Sequence, residues 1–498
     1  MRNTALKNAK TGFLTQMVIL VLGFVIPRIM LVNYGSDVNG LITTITQIFS
    51  YMALLEAGIG QATRNMLYDP IAKSNKKQIS KVMSISNAYF WRVTVYYAIG
   101  VIILSFLLPF VLKTNIDFWM IFLVVLFQGM SGVVKFLYVE SWIQLLMAEG
   151  KQYVQSNITL LNMVLTYSIK IVFACLGINI ALMQFAFFCV SLVQLFVYKK
   201  YITKNYSWIK LEKGKVANEK LPDRNAFVLT EIAWTVFSST DVIVIGIVIG
   251  TAMTSVYGIY NMVYSNLSLV LNVVYTGLIY ILGQSFHVSI DKYRIVHDAF
   301  ESLFVMAIGI LMSCCSVMML PFVQIYTSGI YDIDYIYPYF PLLFGLIQIF
   351  SWSRYIVGNL SGIAGYAENV WKVSAIEALI NLILSIVLSL IFGIYGILIA
   401  TVLALIIKLV YLIYLGNVKI MKRSVNKSTI KIFVNLVIYC VISLWSIVNP
   451  LSTEGLIPFF LHAGVTLMLT SLVYLVANLI LDRASILKLV SVIFRKEV

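Results

Sequence analysis

Five charged residues lie deep inside apolar stretches of this chain: Arg28, Lys170, Asp241, Arg354 and Lys408. A charge at the centre of a membrane-spanning helix costs roughly 2.5–3.5 kcal/mol on insertion scales, so it survives where it has a partner, a cavity or a pathway. Four of the five are cations. A chamber lined by that surplus attracts anions by Coulomb forces in a low dielectric. The Arg guanidinium adds a fork that matches phosphate in two places. Arg28, Lys170, Arg354 and Lys408 are thus the candidate substrate-binding cations. Asp241 follows Ser238, Ser239 and Thr240, oxygen groups that suit a hard cation. It is the candidate coupling-ion site or the charge partner of a cation.

Polar residues accompany these charges at helical spacing. Gln155, Thr159, Asn162, Thr166 and Lys170 share one helix face, and Ser374, Glu377, Asn381 and Ser385 share another. Further stripes are Asn261, Ser265, Ser268 and Asn272, and Glu231, Thr235 and Ser238. In lipid such groups must face protein or water. One reading is helix–helix bonding through hydroxyls and amides. Matching stripes in matching helices favour the other, a wet cavity walled by Asn162, Thr166, Asn381 and Ser385. Glu56, Arg92, Lys135, Glu301 and Glu377 lie near segment ends, where a snorkelling or headgroup role is expected. Pro27, next to Arg28, removes a backbone hydrogen bond and predicts a bend that could serve as a gate.

The elements that position these residues follow from composition. Of 498 residues, 60% are hydrophobic and only 11% charged, against about 25% charged in soluble domains. That excludes an ordinary soluble enzyme and predicts an all-α, polytopic membrane protein. Apolar runs near 12–32, 39–60, 89–111, 118–139, 156–177, 178–198, 227–249, 256–281, 299–321, 338–361, 373–393, 395–416, 431–449 and 456–481 predict about 14 transmembrane helices. Lys and Arg outside these runs fall almost wholly on one set of alternate loops, Lys113 being the exception. The positive-inside rule then places both termini in the cytoplasm of a multi-pass cell-membrane protein. The net charge of +15 is mostly this topology signal, and a nucleic-acid partner is not expected. The connecting loops are too short for a soluble domain. Cys175, Cys189, Cys314, Cys315 and Cys440 lie in apolar stretches without CxxC spacing, and His287, His297 and His462 are scattered, so no metal site is expected. The basic N-terminus leads into an apolar run too long for a cleaved signal peptide.

An offset of 219 residues aligns Lys135 with Arg354, Glu149 with Glu368, Gln155 with Ser374, Asn162 with Asn381, Thr166 with Ser385 and Gly177 with Gly396. The expected organisation is a six-helix lobe at 1–198, a basic cytoplasmic linker at 199–226 and a second six-helix lobe at 227–416. Helices 13 and 14 follow within 417–481, with a cytoplasmic tail at 482–498. Parallel repeats of this form occur in transporters that carry substrate between the lobes.

The stretches Asn33-Tyr34-Gly35, Leu54-Leu55-Glu56-Ala57-Gly58-Ile59-Gly60, Leu67-Tyr68-Asp69-Pro70-Ile71-Ala72 and Ser255-Val256-Tyr257-Gly258-Ile259-Tyr260-Asn261-Met262 resemble the polysaccharide or O-antigen flippases of the multidrug/oligosaccharidyl-lipid/polysaccharide exporter superfamily. The resemblance covers essentially the whole chain. It implies alternating access and flipping of undecaprenyl-diphosphate-linked oligosaccharide from inner to outer leaflet, for capsule, O-antigen or exopolysaccharide assembly. It implies partners in that assembly and cations in the first lobe's lumen, which Arg28 and Lys170 could match. Glu56 and Arg64 lie in the resembling stretch and are candidates for an intracellular gate or ion pair, together with Pro27.

Three other readings share part of this evidence. A peptidoglycan-precursor flippase carries an equally anionic lipid. A multidrug exporter of organic cations calls for an acidic lumen. A membrane glycosyltransferase or polymerase would use a metal-binding DxD, and Asp332-Ile333-Asp334 has that spacing, but no large external domain accompanies it. Neither a Walker A pattern nor a Rossmann glycine fingerprint occurs. No enzyme activity and no cofactor are expected, with H⁺ or Na⁺ coupling open.

Overall fold

The computed structural model describes residues 2–212, 224–453 and 455–494. Among them every expected apolar run falls on helix, and no strand occurs. The first two runs are halves of one helix, α1 (Arg2–Met52), joined at Gly35 with φ 78° and ψ 174°. Only glycine adopts such an angle at little cost. The chain passes through Pro27 within the helix, so the break expected at the proline comes eight residues later. Eleven stretches of the described residues are long and apolar enough to cross a membrane, and Thr235–Ile249 is a shorter apolar helix.

A 3₁₀ turn at Ala53–Glu56 and α2 (Ile59–Ala72) lead into α3 (Lys76–Val111). Next come α4 (Phe118–Val134), a π turn at Lys135–Val139, α5 (Glu140–Ala148), α6 (Gln152–Cys175) and α7 (Ile180–Asn205). Then follow α8 (Arg224–Val244), a π turn at Ile245–Ile249, α9 (Thr251–Val288) and α10 (Ile290–Tyr326). The last five are α11 (Phe340–Ile363), α12 (Ala367–Phe392), α13 (Ile394–Tyr414), α14 (Asn426–Val448) and α15 (Leu456–Phe494). Short polar side chains open several helices by accepting a free backbone N–H. Asn75 caps α3 through Gln78, Asn179 caps α7 through Ala181, and Ser289 caps α10 through Lys292. Residues 213–223 of the expected linker and 495–498 of the tail lie outside the described residues.

The chain divides into two compact units, Met1–Ser255 and Val256–Val498. In the first, Leu41, Ile45, Phe49, Tyr97, Val101, Val124 and Met183 form the apolar core. Here α8 packs against α1. Ser50 meets Ser239 at 2.9 Å and Tyr51 meets Thr240 at 2.9 Å. Farther up α1, Thr251 donates to Asp37 at 2.5 Å and Asn39 donates to Ser255 at 2.9 Å. In the second unit, Tyr260, Tyr264, Phe340, Phe344 and Tyr439 are buried together. The Tyr264 and Tyr439 hydroxyls both donate to the Pro341 carbonyl at 2.9 Å. Large apolar side chains such as Phe110, Leu390, Met468 and Ile480 face outward, as a lipid-facing surface requires.

Candidate functional site

The polar face of α6 lies where the sequence placed it, and it is short of partners. Gln155 Oε1, Asn162 Oδ1 and Thr166 Oγ1 are enclosed with no protein hydrogen-bond partner among the described residues. A turn beyond Thr166, the Lys170 ammonium sits over the Phe187 ring of α7, 5.6 Å from its centroid. No described carboxylate forms an ion pair with it. A half-buried cation resting on an aromatic face gains less than one held by a carboxylate, so Lys170 retains unmatched attraction for an anion. Arg28 is half-buried on α1, which packs against α6.

The matching face of α12 is used differently. Asn381 Nδ2 donates to Thr401 Oγ1 of α13 at 2.8 Å. Glu377, which the sequence placed near a headgroup, is 2% exposed and grips two cations. Its Oε1 accepts from Arg354 of α11, and its Oε2 lies 2.7 Å from Lys408 Nζ of α13. The expectation of Arg354 and Lys408 as two open cations is therefore revised: they share one carboxylate inside the helix packing and leave one net positive charge. Helix α12 packs along α13, which also packs against α11, so the stripe that resembled a cavity wall bonds neighbouring helices. Ser385 is fully buried, and its hydroxyl has no protein partner among the described residues.

Asp241 is buried on α8, with its flanking hydroxyls engaged. Ser239 and Thr240 bond α1 as above, and Ser238 donates to the Thr235 carbonyl at 3.3 Å. Of the oxygens expected to ligate a cation beside Asp241, those of Ser239 and Thr240 thus join two helices, and that of Ser238 bonds its own helix. The expected Glu56–Arg64 ion pair does not form. Arg64 donates to Gln61 Oε1 at 2.5 Å and to Met147 Sδ at 3.1 Å. In the loop between α10 and α11, Asp332 and Asp334 are exposed, and Asp334 accepts the Ile336 amide at 2.9 Å, as turn aspartates do.

Sequence reasoning missed a second charged cluster, where α10, α14 and α15 meet. Asp298 is held by Arg423 at 2.7 Å and Lys427 at 2.8 Å. Lys431 reaches Asp482 at 2.7 Å and the Asp298 carbonyl at 3.0 Å. The signal was present as acids three apart at 298 and 301 facing cations four apart at 427 and 431. Ligand atoms of His297, Asp298 and Glu301 lie within 4.8 Å of one another. Both Asp298 oxygens are already bonded to cations, so the trio is a poor match for a metal.

No family model matches the sequence, and no curated protein does. Solved structures match over most of the chain. A lipid II flippase, MurJ, in an inward closed conformation aligns with TM-score 0.67 at 13% identity, covering 96% of this chain and 98% of that one. An inward-facing multidrug resistance MATE family transporter of the MOP superfamily aligns with TM-score 0.62 at 12% identity, covering 79% and 93%. At that identity the shared property is the fold.

Proposed function

We propose that this protein is a membrane transporter that flips lipid-diphosphate-linked oligosaccharide repeat units from the inner to the outer leaflet by alternating access. The observation that carries the reading is Lys170, an ammonium at depth with no carboxylate partner among the described residues, at the end of a polar face whose oxygens also lack partners. A diphosphate supplies the missing charge, and sugar hydroxyls supply donors for the oxygens of Gln155, Asn162 and Thr166. Arg28 is assigned to the same anion path. The fold shared with a lipid II flippase and with multidrug transporters supports a transporter over a polymerase, and an excess of deep positive charge disfavours organic cations. We assign the protein to the cell membrane with both termini cytoplasmic, working beside other polysaccharide-assembly membrane proteins. An interior-negative potential favours outward movement of an anion by about 2.3 kcal/mol per charge per 100 mV.

Reconstituted protein in liposomes tests this with undecaprenyl-diphosphate-linked oligosaccharide, lipid II and an uncharged polyprenyl-linked sugar in parallel. Flipping of the first is expected, slowed by about tenfold or more in Lys170→Ala, the scale of one charged hydrogen bond, and partly kept in Lys170→Arg. Wild-type rates in Lys170→Ala would refute the assignment, and a preference for lipid II would move the substrate to the peptidoglycan precursor.

A further inference from the structure

We propose that the end of α7 carries a binding site for an anionic phospholipid, in which Lys199, Lys200 and Lys204 hold the headgroup phosphate and the apolar face before them takes an acyl chain. Helix α7 has two unlike sides. Tyr198 and Ile202 are buried, and with Tyr206 just past the helix they join an apolar core that includes Trp142, Leu145 and Leu146 of α5. On the opposite side Leu182, Phe185, Val193 and Phe196 are exposed, at steps that keep them on one helical face. That face then turns basic. Lys200, Thr203 and Lys204 continue it, Lys199 stands at its edge, and all four are exposed. Phe196, Lys199, Lys200, Thr203 and Lys204 line an open groove of about 530 Å³.

The three ammoniums meet without a counter-ion, since no described carboxylate forms an ion pair with any of them. Helix α7 contains no Asp or Glu, and neither do α4 and α6, which pack against it. Glu149, at the same end, is taken by Lys151 at 2.7 Å and Tyr206 at 2.5 Å. Thr203 donates its hydroxyl proton to the Lys199 carbonyl at 2.8 Å. The donors left in the groove are all cationic, which favours an anion over a neutral headgroup. Tyr201, Tyr206 and Trp208 form an aromatic row at this end, neighbouring centroids 6.5 Å apart, and such residues gather at the membrane–water interface. The lysines thus stand at headgroup level, with Phe196 one turn deeper. Topology alone asks for basic residues at this end but not for their gathering on the face that meets lipid. A free phosphate would use the lysines and leave the apolar stripe idle, so the continuity of the two commits the site to a phospholipid. Its leaflet, the inner one, rests on the orientation proposed above; its lipid preference does not depend on transport.

The full-length protein in phosphatidylcholine vesicles, with a trace of phosphatidylglycerol carrying a photoreactive acyl chain, tests the site. Cross-links are expected within residues 182–204. Added phosphatidylglycerol should displace the probe, and inorganic phosphate should not. Lys199→Gln, Lys200→Gln and Lys204→Gln should each weaken probe binding about fivefold at low salt, the worth of one lysine against an anionic surface. The combined variant should lose the cross-link, and Arg at all three positions should keep most of it. Lys73→Gln, exposed and paired with Asp69, is the control and should label as wild type. Equal labelling by a phosphatidylcholine probe, or unchanged labelling in all three single Gln variants, overturns the proposal. So does displacement by inorganic phosphate, or by undecaprenyl phosphate in preference to phosphatidylglycerol, which would make the groove a free-anion or prenyl-lipid site. The single variants keep the test standing if the combined one does not fold. A protein that selects phosphatidylglycerol here but flips nothing keeps this site and loses the function proposed above.

Discussion

Arg354 of α11 and Lys408 of α13 take the two oxygens of one carboxylate, Glu377 of α12. Three helices, α11, α12 and α13, are thereby joined at one buried point. Such a cluster contributes little against an apolar replacement, but losing one member leaves uncompensated charge. Glu377→Gln is expected to destabilise the protein by about 3–5 kcal/mol, read as a lower melting temperature in detergent. Adding Arg354→Met and Lys408→Met to Glu377→Gln should recover most of that loss. If the single variant melts with wild type, the cations have found another partner and the triad is not structural.

Gly40 marks where α1 meets the start of α9 inside the first unit. A Cβ at that position would stand 1.7 Å from the Thr251 carbonyl oxygen and 2.6 Å from its carbon. Backbone cannot swing aside as a side chain can, so Gly40→Ala must push the two helices apart. The Thr251–Asp37 and Asn39–Ser255 bonds join the same two segments beside the clash. The expected cost is at least the roughly 1–3 kcal/mol of an overpacked core, seen as reduced thermal stability. Gly12→Ala, with nothing within 4 Å, is the control and should be neutral or better.

Lys431 and Lys427 belong to one cluster but should differ in consequence. Lys431 is 3% exposed and Lys427 side-chain exposure is 46%. Water replaces the exposed partner and cannot replace the buried one. Lys431→Ala should lower the melting temperature clearly, because Asp482 and Glu301 lose their enclosed counter-charge. Lys427→Ala should cost about 1 kcal/mol or less, the range of exposed pairs. Faster amide exchange over α14 in the first variant and not the second is the measurement; equal effects would refute the ranking.

The fourteen apolar runs, and the polar faces within them, could be read from sequence because membrane burial imposes length and period directly. Partnership could not. The 219-residue offset pairs Asn162 with Asn381, yet the position matching Glu377 is Ile158 and the one matching Lys408 is Cys189. The second unit thus has an internal counter-ion where the first has apolar side chains. Lys170 matches Ser389, so this deep cation belongs to one half only. A stripe reports which face avoids lipid, not whether a neighbouring helix or a ligand meets it. That depends on residues of α11 and α13 brought near α12 only by folding.

Tyr206 offers a test by pH. It is buried just past α7, its hydroxyl donates to Glu149 Oε2 at 2.5 Å, and Lys151 donates to it at 3.0 Å. Burial, reinforced by the bond to Glu149, holds its pKa above the ordinary tyrosine value of about 10. Below that pH the phenol is neutral in both folded and unfolded chains, and the bond contributes in full. As pH rises past about 10 the unfolded chain releases the proton first, so the contribution declines up to the folded pKa. Tyr206→Phe should be less stable than wild type by about 1–3 kcal/mol, as for a hydrogen bond to a charged group. The difference should be constant through the neutral range and shrink above pH about 10. A gap that grows with alkaline pH, or is absent at neutrality, would show that the hydroxyl does not anchor the α5–α6 turn.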